Sequence, residues 1–208
     1  MLPTLPGLLL LLLVLGAIGV FAFRNLAIFL AVNEPVGAKY LVIEGWLGKY
    51  ELQQSLEVFT EKGYQQAFVS GVPIDNSFNN EFPTMADRAH NYLLSIGFPE
   101  ARITAVPAPK TFLNRTYVSA VAVRERLASQ NLPVDALDVF SSDVHARRSR
   151  YLYQLAFGDP VRVGIIASSP EEFELETWWH SSDVVKNVST EAIGWIWVIC
   201  CADPAGAD

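Results

Sequence analysis

The chain has 208 residues, of which 51% are hydrophobic and 18% are charged, and its formal net charge is −7 at pH 7. An apolar content this high excludes an intrinsically disordered chain, and the length is typical of one ordinary domain. All 22 acidic residues and 14 of the 15 basic residues follow residue 33, so the main part of the chain is acidic and is not expected to bind nucleic acid.

The first predicted element is a membrane-spanning helix. Leu5 to Phe23 form a run of 19 residues without a charge, and at about 1.5 Å per residue such a helix nearly matches the roughly 30 Å hydrocarbon core of a bilayer. We predict an anchor over residues 1–33, with a span at 5–23 that can extend past Arg24 to residue 32. A cleaved signal peptide is the alternative, but the segment has no basic n-region and no A-x-A site follows it.

Two further features of the sequence bear on the membrane. Arg24 and Lys39 lie on the C-terminal side of the span, which by the positive-inside rule favours a cytoplasmic domain. A second apolar run, Ile193 to Ala202, has only ten residues. Because ten residues are too few to span a bilayer, this run predicts a buried or interfacial helix.

Residues 34–208 are predicted to form one α/β domain, because short β-branched and aromatic runs alternate with runs whose apolar residues recur at helical spacing. The predicted strands are Lys39–Ile43, Gln66–Ser70, Ile103–Val106, Ala136–Ser141 and Val161–Ala167. Gly63, Gly97 and Gly158 stand where three of the intervening helices are expected to end. Strand–helix units that repeat about every 30 residues predict a parallel sheet covered on both faces, in a three-layer Rossmann-like fold of about five strands.

The loops after the strands are the expected place for a site, because ligands of such sheets bind beyond the carboxyl ends of the strands, where the strand order reverses. With the order 3-2-1-4-5, Glu44 after the first strand and His145 after the fourth face one crevice, and the loop after the second strand covers residues 71–75. Glu44 is a candidate general base or hydroxyl acceptor, with pairing to a nearby arginine as the alternative. His145 is the second catalytic candidate, with a structural histidine as the alternative.

The densest group of basic residues follows the fourth strand. Residues 141–150 read SSDVHARRSR, which places a histidine and three arginines in the first turns of a helix, where free N–H groups already attract anions. Lys110, Arg115 and Thr116 stand at another strand-to-helix boundary. Residues 110–150 carry a net charge of +3 and the rest of the domain −11, so we predict a bound anion. The alternatives are that the arginines pair with acidic neighbours and that Thr116 only caps its helix.

Several common sites are absent from the sequence. It contains no GxGxxG, GxxxxGK[ST] or GxSxG motif, which removes the usual dinucleotide, P-loop and esterase sites. The histidines lie far apart and no HExxH occurs, so no metal site is predicted, and the sequence patterns do not identify any cofactor. Cys200 and Cys201 are adjacent, which excludes a disulfide framework and a CxxC motif.

Four segments occur in a distinctive order: an apolar strand ending in Glu44-Gly45-Trp46, a second ending in Ser70-Gly71, residues 115–120 (RTYVSA) and residues 139–149 (VFSSDVHARRS). Over residues 38–200 this order resembles the SanA/ElyC/YdcF family of bacterial envelope proteins. The family's Thr-Ser-x-x-His-x-x-Arg-Ala segment is matched by Ser141, Ser142, His145 and Arg148, and its Thr-x-x-Asn/Ser-Ala element by Thr116, Ser119 and Ala120. The family's Gly-Gly after the first strand is Glu44-Gly45 here, and its Ser-Gly-Gly is Ser70-Gly71-Val72.

The resemblance implies a membrane-anchored Rossmann-like domain outside the cytoplasmic (inner) membrane, with a role in cell envelope or peptidoglycan carrier-lipid metabolism. The basic residues at one sheet edge, taken with this setting, predict a phosphate-bearing or other anionic ligand, with a lipid-linked envelope intermediate as the candidate. S-adenosylmethionine binding has been proposed for one branch of the family. Together with the residue patterns, it makes the ligand-binding candidates Gly45, Trp46, Ser70, Gly71, Lys110, Arg115, Thr116, Ser141, Ser142, Arg147 and Arg148. A non-catalytic scaffold or ligand-sensing protein is the alternative, because the sequence contains no recognised nucleophile constellation.

Overall fold

The computed structural model describes residues 4–74 and 81–201, and within them five strands form one parallel sheet in the order β3-β2-β1-β4-β5. The strands are β1 Tyr40–Glu44, β2 Gln66–Gly71, β3 Ile103–Pro107, β4 Ala136–Ser141 and β5 Arg162–Ala167. Each strand begins and ends within one residue of its predicted position, so the Rossmann-like fold and the strand order are confirmed. Asp75 of the predicted loop after the second strand and residues 202–208 lie outside the described residues.

Helices cover both faces of this sheet. The described α-helices are α1 Leu5–Arg24, α2 Leu26–Leu30, α3 Lys49–Glu61, α4 Met85–Ser95, α5 Arg115–Ser129, α6 Ala146–Phe157 and α7 Ser182–Cys200, and short 3-10 helices occupy Glu100–Arg102, Asp143–His145 and Leu175–His180. Gly63, Gly97 and Gly158 follow α3, α4 and α6 with φ angles of 70°, 97° and 67°. A side chain would be strained at such angles, and the predicted helix ends are confirmed.

The core consists of two apolar layers, one on each face of the sheet. Val42 of β1 packs with residues of α5 and α6, whereas its neighbours Leu41 and Ile43 pack with residues of α3 and α4. This alternation follows from the two-residue period of a strand buried on both faces. A third cluster beyond the sheet joins α2, the two later 3-10 helices and α7 through Ala27, Leu30, Val144, Trp178 and Val188.

The N-terminal helix α1 is long and apolar enough to cross a membrane, and none of its residues is buried in the domain. It ends at Arg24, and the apolar residues that follow do not lengthen it. They form α2, whose Ala27 and Leu30 are fully buried in the third cluster. α2 therefore packs with the α/β domain.

An extended segment carries the chain from α2 to the start of β1. Glu34 pairs antiparallel with Ile165 of β5 through two backbone hydrogen bonds of 2.8 and 3.1 Å. The buried Asp138 carboxylate of β4 then accepts the N–H groups of Val36 at 2.7 Å and Ala38 at 3.1 Å. Because this segment runs against the direction of β5, α2 lies at the carboxyl edge of the sheet, and α1 leaves the domain at that edge.

Candidate functional site

A cavity of about 560 Å³ opens at the carboxyl edge of the sheet, at the point where β1 separates β2 from β4. The ends of β1 and β2, the start of α5, the 3-10 helix before α6, and α7 surround it. Nine of the predicted site residues line it, namely Glu44, Trp46, Ser70, Gly71, Arg115, Thr116, Ser142, His145 and Arg148. Both catalytic candidates therefore lie on the wall of one cavity.

Glu44, the last residue of β1, forms the acidic part of the cavity wall. Its side chain is only 2% exposed, and its carboxylate accepts hydrogen bonds from the hydroxyls of Ser141 and Ser149, with both Ser149 distances at 3.0 Å. None of the described basic side chains forms an ion pair with Glu44. The alternative of an arginine partner is therefore not what the structure shows, and serine hydroxyls balance this carboxylate instead.

A second pair of hydroxyls lies beside Glu44. The oxygens of Ser70 and Tyr153 are 2.8 Å apart, and Tyr153 is fully buried. Burial raises the pKa of Tyr153, and the negative charge of Glu44 raises it further, against a smaller opposing effect of the Ser70 hydrogen bond. Tyr153 is therefore a neutral phenol at physiological pH, and Glu44 is surrounded by groups that donate hydrogen bonds without carrying charge.

Arg148 is neutralised by an acidic residue that the sequence analysis did not select. Its Nε and Nη2 atoms each lie 3.0 Å from an oxygen of Glu191 on α7, in a two-pronged ion pair. Burial alone would raise the pKa of Glu191, but hydrogen bonds and charges from His145 and Arg148 outweigh it and hold that pKa below its ordinary value. The prediction that arginines of the cluster pair with acids applies to Arg148, and also to Arg150, which pairs with Glu34.

His145 presents an unsatisfied nitrogen at this cavity. The residue is 8% exposed and lines the cavity, and its Nε2 atom is buried without a hydrogen-bond partner among the described residues. Its Nδ1 atom lies 2.9 Å from Nη2 of Arg148 and 3.0 Å from Oε2 of Glu191. When Nδ1 accepts from Arg148, Nε2 carries the proton and is a free donor; when Nδ1 donates to Glu191, the neutral ring offers Nε2 as a free acceptor.

Arg115 supplies a cation that no described carboxylate neutralises. It is exposed and is the first residue of α5, a helix with no side-chain cap and no acidic residue in its first turn. Asn114 occupies the N-cap position at a φ of 50°, but its side chain does not cap the helix, and neither does Thr116. The free N–H groups of this turn therefore remain available beside Arg115.

Trp46 covers part of the histidine. Its ring meets the His145 ring edge-on, with the centroids 4.9 Å apart, and 38% of the residue is exposed. Both rings line the same cavity, so Trp46 combines packing against His145 with an exposed face on which a ligand can stack.

Two predicted cationic ligands lie away from this cavity. Arg147 donates from Nε to the carbonyl of Phe29, and its guanidinium lies 3.8 Å from the centre of the Phe29 ring and 6.0 Å from that of Trp195. Lys110 is exposed, with its amine 5.4 Å from the centre of the Phe112 ring. Neither of them lines the cavity, so they do not join Arg115 there.

Gly45 and Gly71 lie where α4 packs closely against the ends of β1 and β2. The N–H of Gly45 donates to the carbonyl of Ser70 at 2.7 Å, and a Cβ on Gly45 would lie 2.7 Å from the carbonyl oxygen of Met85. Gly71 is similarly closed in, because a Cβ there would lie 2.6 Å from the Ala86 nitrogen. These glycines let α4 begin directly against the ends of β1 and β2.

Asp143 is a further cavity residue that the sequence analysis did not select. It is 8% exposed, and its carboxylate accepts a hydrogen bond from the Val144 N–H. Burial raises the pKa of Asp143, and Glu51 and Glu191 add to this, while the Val144 hydrogen bond and His145 act in the opposite direction. Among the described residues, no group of three or more His, Cys, Asp or Glu side chains is arranged to hold a metal ion.

We expect Asp143→Asn to be more stable than the wild type at neutral pH. The folded state binds the Asp143 proton more tightly than the unfolded state, so ionising Asp143 costs stability above the folded-state pKa, and this cost disappears below the unfolded-state pKa. Asparagine avoids the cost and keeps an oxygen for the Val144 N–H. Urea unfolding of the full chain at neutral and acid pH measures the difference, with exposed Asp135→Asn as the control. A variant no more stable than the wild type at neutral pH contradicts this account.

No known family model matches the chain, and a search of curated proteins also finds no match.

Proposed function

We propose that this protein is held at a membrane by α1 and binds a phosphate-bearing or other anionic ligand in the cavity at the carboxyl edge of its sheet. One observation carries the proposal: two polar groups that lack a described partner line the same cavity. Arg115 lies at the start of a helix without a side-chain cap and has no described carboxylate partner, and the buried Nε2 atom of His145 has no hydrogen-bond partner among the described residues. Buried polar atoms normally have hydrogen-bond partners, and helix N-termini favour anions.

Fewer basic residues are left to bind the anion than the sequence predicted. Arg148 is already neutralised by Glu191, and Arg147 lies against α2, so the excess charge of the 141–150 cluster is largely used inside the protein. Arg115 and the first turn of α5 then provide the electrostatic attraction, and Nε2 of His145 provides a directed hydrogen bond. In the tautomer of His145 that carries its proton on Nε2, this atom donates directly to an anionic oxygen.

The proposed biological setting is that of the SanA/ElyC/YdcF type: a domain outside the cytoplasmic membrane that acts on a phosphorylated, lipid-linked intermediate of envelope or peptidoglycan carrier-lipid metabolism. The apolar length of α1 and the position of the cavity at the edge from which α1 leaves the domain support this setting. In an enzyme of this kind, Glu44 handles a proton while Arg115 and His145 hold the phosphate.

A second candidate is a ligand-sensing protein without chemistry. It is favoured by the enclosure of Glu44, which is 2% exposed and hydrogen-bonded to two serines. Release of inorganic phosphate from a polyprenyl diphosphate by the full chain in mixed micelles, abolished by Glu44→Gln, would rule out this candidate. Binding of the same lipid without any release would favour it over the enzyme.

Binding of inorganic pyrophosphate to the full chain in nanodiscs tests the proposed site. We expect Arg115→Gln and His145→Gln each to weaken binding about tenfold, since a charge-assisted hydrogen bond contributes about 1.5 kcal/mol or more. Arg126→Gln is the matched control, because Arg126 is exposed near the other end of α5. Isothermal titration calorimetry gives the dissociation constants. If Arg115→Gln binds pyrophosphate as well as Arg126→Gln does, the anion does not lie at the start of α5.

A further inference from the structure

The second half of α7 exposes an apolar stripe that no described residue covers. Ile193, Ile196, Trp197 and Cys200 follow one another at helical spacing, and the three large side chains are 68%, 57% and 48% exposed. No charged residue occurs between Glu191 and the end of the described chain at residue 201. A contiguous exposed apolar surface of this kind marks an interaction site rather than an ordinary water-exposed helix face.

Contacts connect this part of α7 to the segment that follows the span. Trp195 lies within 6.0 Å of the Arg147 guanidinium, which in turn lies 3.8 Å from the Phe29 ring of α2. Before α2 begins, Phe23 in the last turn of α1 packs on Trp178 with the ring centroids 4.7 Å apart. Since α1 ends at Arg24, its last turn rests on the 3-10 helix Leu175–His180, which leads into α7.

The same edge of the sheet carries all these parts. α1 leaves the domain at the carboxyl edge, the cavity opens at that edge, and Trp197 of the stripe lines the cavity. We infer that the stripe formed by Ile193, Ile196, Trp197 and Cys200 docks on the interfacial layer of the bilayer that α1 enters. Its aliphatic side chains enter the boundary between headgroups and acyl chains, and tryptophan is the residue most at home in that layer.

This docking gives the domain a fixed orientation. A single span joined to the domain at one point permits rotation, whereas a second contact through α7 presses the carboxyl edge against the membrane surface. The cavity then opens beside the bilayer, next to Trp197. The inference rests on the membrane anchoring of the proposed function, but not on anion binding.

Spin labels on the full chain in liposomes test the inference. Three single-cysteine variants are made in a background of Cys200→Ser and Cys201→Ser: Ile196→Cys on the stripe, Leu11→Cys in the span, and Glu125→Cys on the exposed side of α5 toward the opposite edge of the sheet. Each label is exposed to molecular oxygen, which concentrates in lipid, and to a water-soluble nickel chelate. We expect the label at residue 196 to collide with oxygen several-fold more often than with nickel, as at residue 11, and the label at residue 125 to show the reverse.

The outcomes separate the two claims. A label at residue 196 that behaves like the one at residue 125, while residue 11 keeps its lipid signature, overturns the docking and leaves the anchor intact. Nickel accessibility at residue 11 as well overturns both. Shielding of residue 196 from both reagents, with dipolar broadening between labelled copies, assigns the stripe to a second copy of the chain and also overturns the docking.

Discussion

Replacing Asp138 with alanine is expected to lower the free energy of unfolding by about 3 kcal/mol or more. The substitution leaves three buried or part-buried donors without an acceptor, and each unsatisfied donor costs about 1–3 kcal/mol. The carboxylate accepts from the Val36 N–H at 2.7 Å, from the Ala38 N–H at 3.1 Å and from the Tyr64 hydroxyl at 2.9 Å. Asp138 itself is fully buried. This one side chain therefore fixes the path of the chain between α2 and β1.

The neighbouring strand β5 packs closely against the Asp138 carboxylate. Gly164 is the register partner of Asp138 on β5, and a Cβ at Gly164 would collide with the Asp138 carboxylate. Burial, reinforced by the charge and hydrogen bond of Asp138, raises the pKa of Tyr64, so that its hydroxyl donates across the whole physiological pH range. The buried carboxylate therefore has three hydrogen-bond donors, and a glycine on the neighbouring strand leaves room for it. Such a fully hydrogen-bonded buried group is expected to contribute to stability.

Two milder variants control for this prediction. Asp138→Asn keeps the side-chain size and one acceptor oxygen, so we expect it to lose clearly less than Asp138→Ala. Tyr64→Phe removes one donor together with its need for a partner, and is expected to cost about 1 kcal/mol. Urea unfolding of the full chain in detergent, followed by circular dichroism, gives all three values. A loss of less than about 1 kcal/mol for Asp138→Ala would mean that the hydrogen bonds contribute little.

The fold could be predicted from the sequence because its determinants are local. A buried parallel strand needs a short run of β-branched and aromatic residues, and the helices between such runs end at local signals; Gly63, for example, ends the helix before β2 with a φ of 70°. The fate of residues 26–32 could not be predicted in this way. Their apolar pattern suits a membrane helix and a packed helix equally, and the partners that decide, Trp178 and Val188, lie about 150 residues later in the chain.

The location of the candidate site could be predicted from the sequence, but the ion pairs formed by its arginines could not. The rule that ligands bind at the carboxyl ends of parallel strands brings Glu44 and His145 to one cavity whatever their side chains contact. Which carboxylate each arginine meets depends on tertiary packing: Arg148 reaches Glu191, which lies 43 residues away, whereas its neighbour Arg147 turns to α2. A signal for Glu191 exists in the sequence, since it is the last acidic residue before an apolar helix end and charges in that position usually have a partner.

We expect Arg148→Ala to destabilise the protein by about 3 kcal/mol, because removing one member of a largely buried ion pair leaves the other charge uncompensated. The side chains of Arg148 and Glu191 are 23% and 13% exposed, which places the expected loss at the lower end of the range for buried pairs. Arg148→Lys should recover only part of it, because an ammonium group cannot form the two-pronged contact with both carboxylate oxygens.

A double-mutant cycle isolates this interaction. With both Arg148→Ala and Glu191→Ala in place no charge is stranded, so the double variant should be more stable than the sum of the single losses predicts, by about 1–3 kcal/mol. The pKa of Glu191 is held below its ordinary value, so the contribution of the pair is fully present above the unfolded-state pKa and is lost as the pH falls through the folded-state pKa. The coupling energy measured by urea unfolding should therefore shrink on acidification. Strict additivity of the two single losses at neutral pH would show that Glu191 does not depend on Arg148, and that Arg148 is free to join Arg115 in binding an anion.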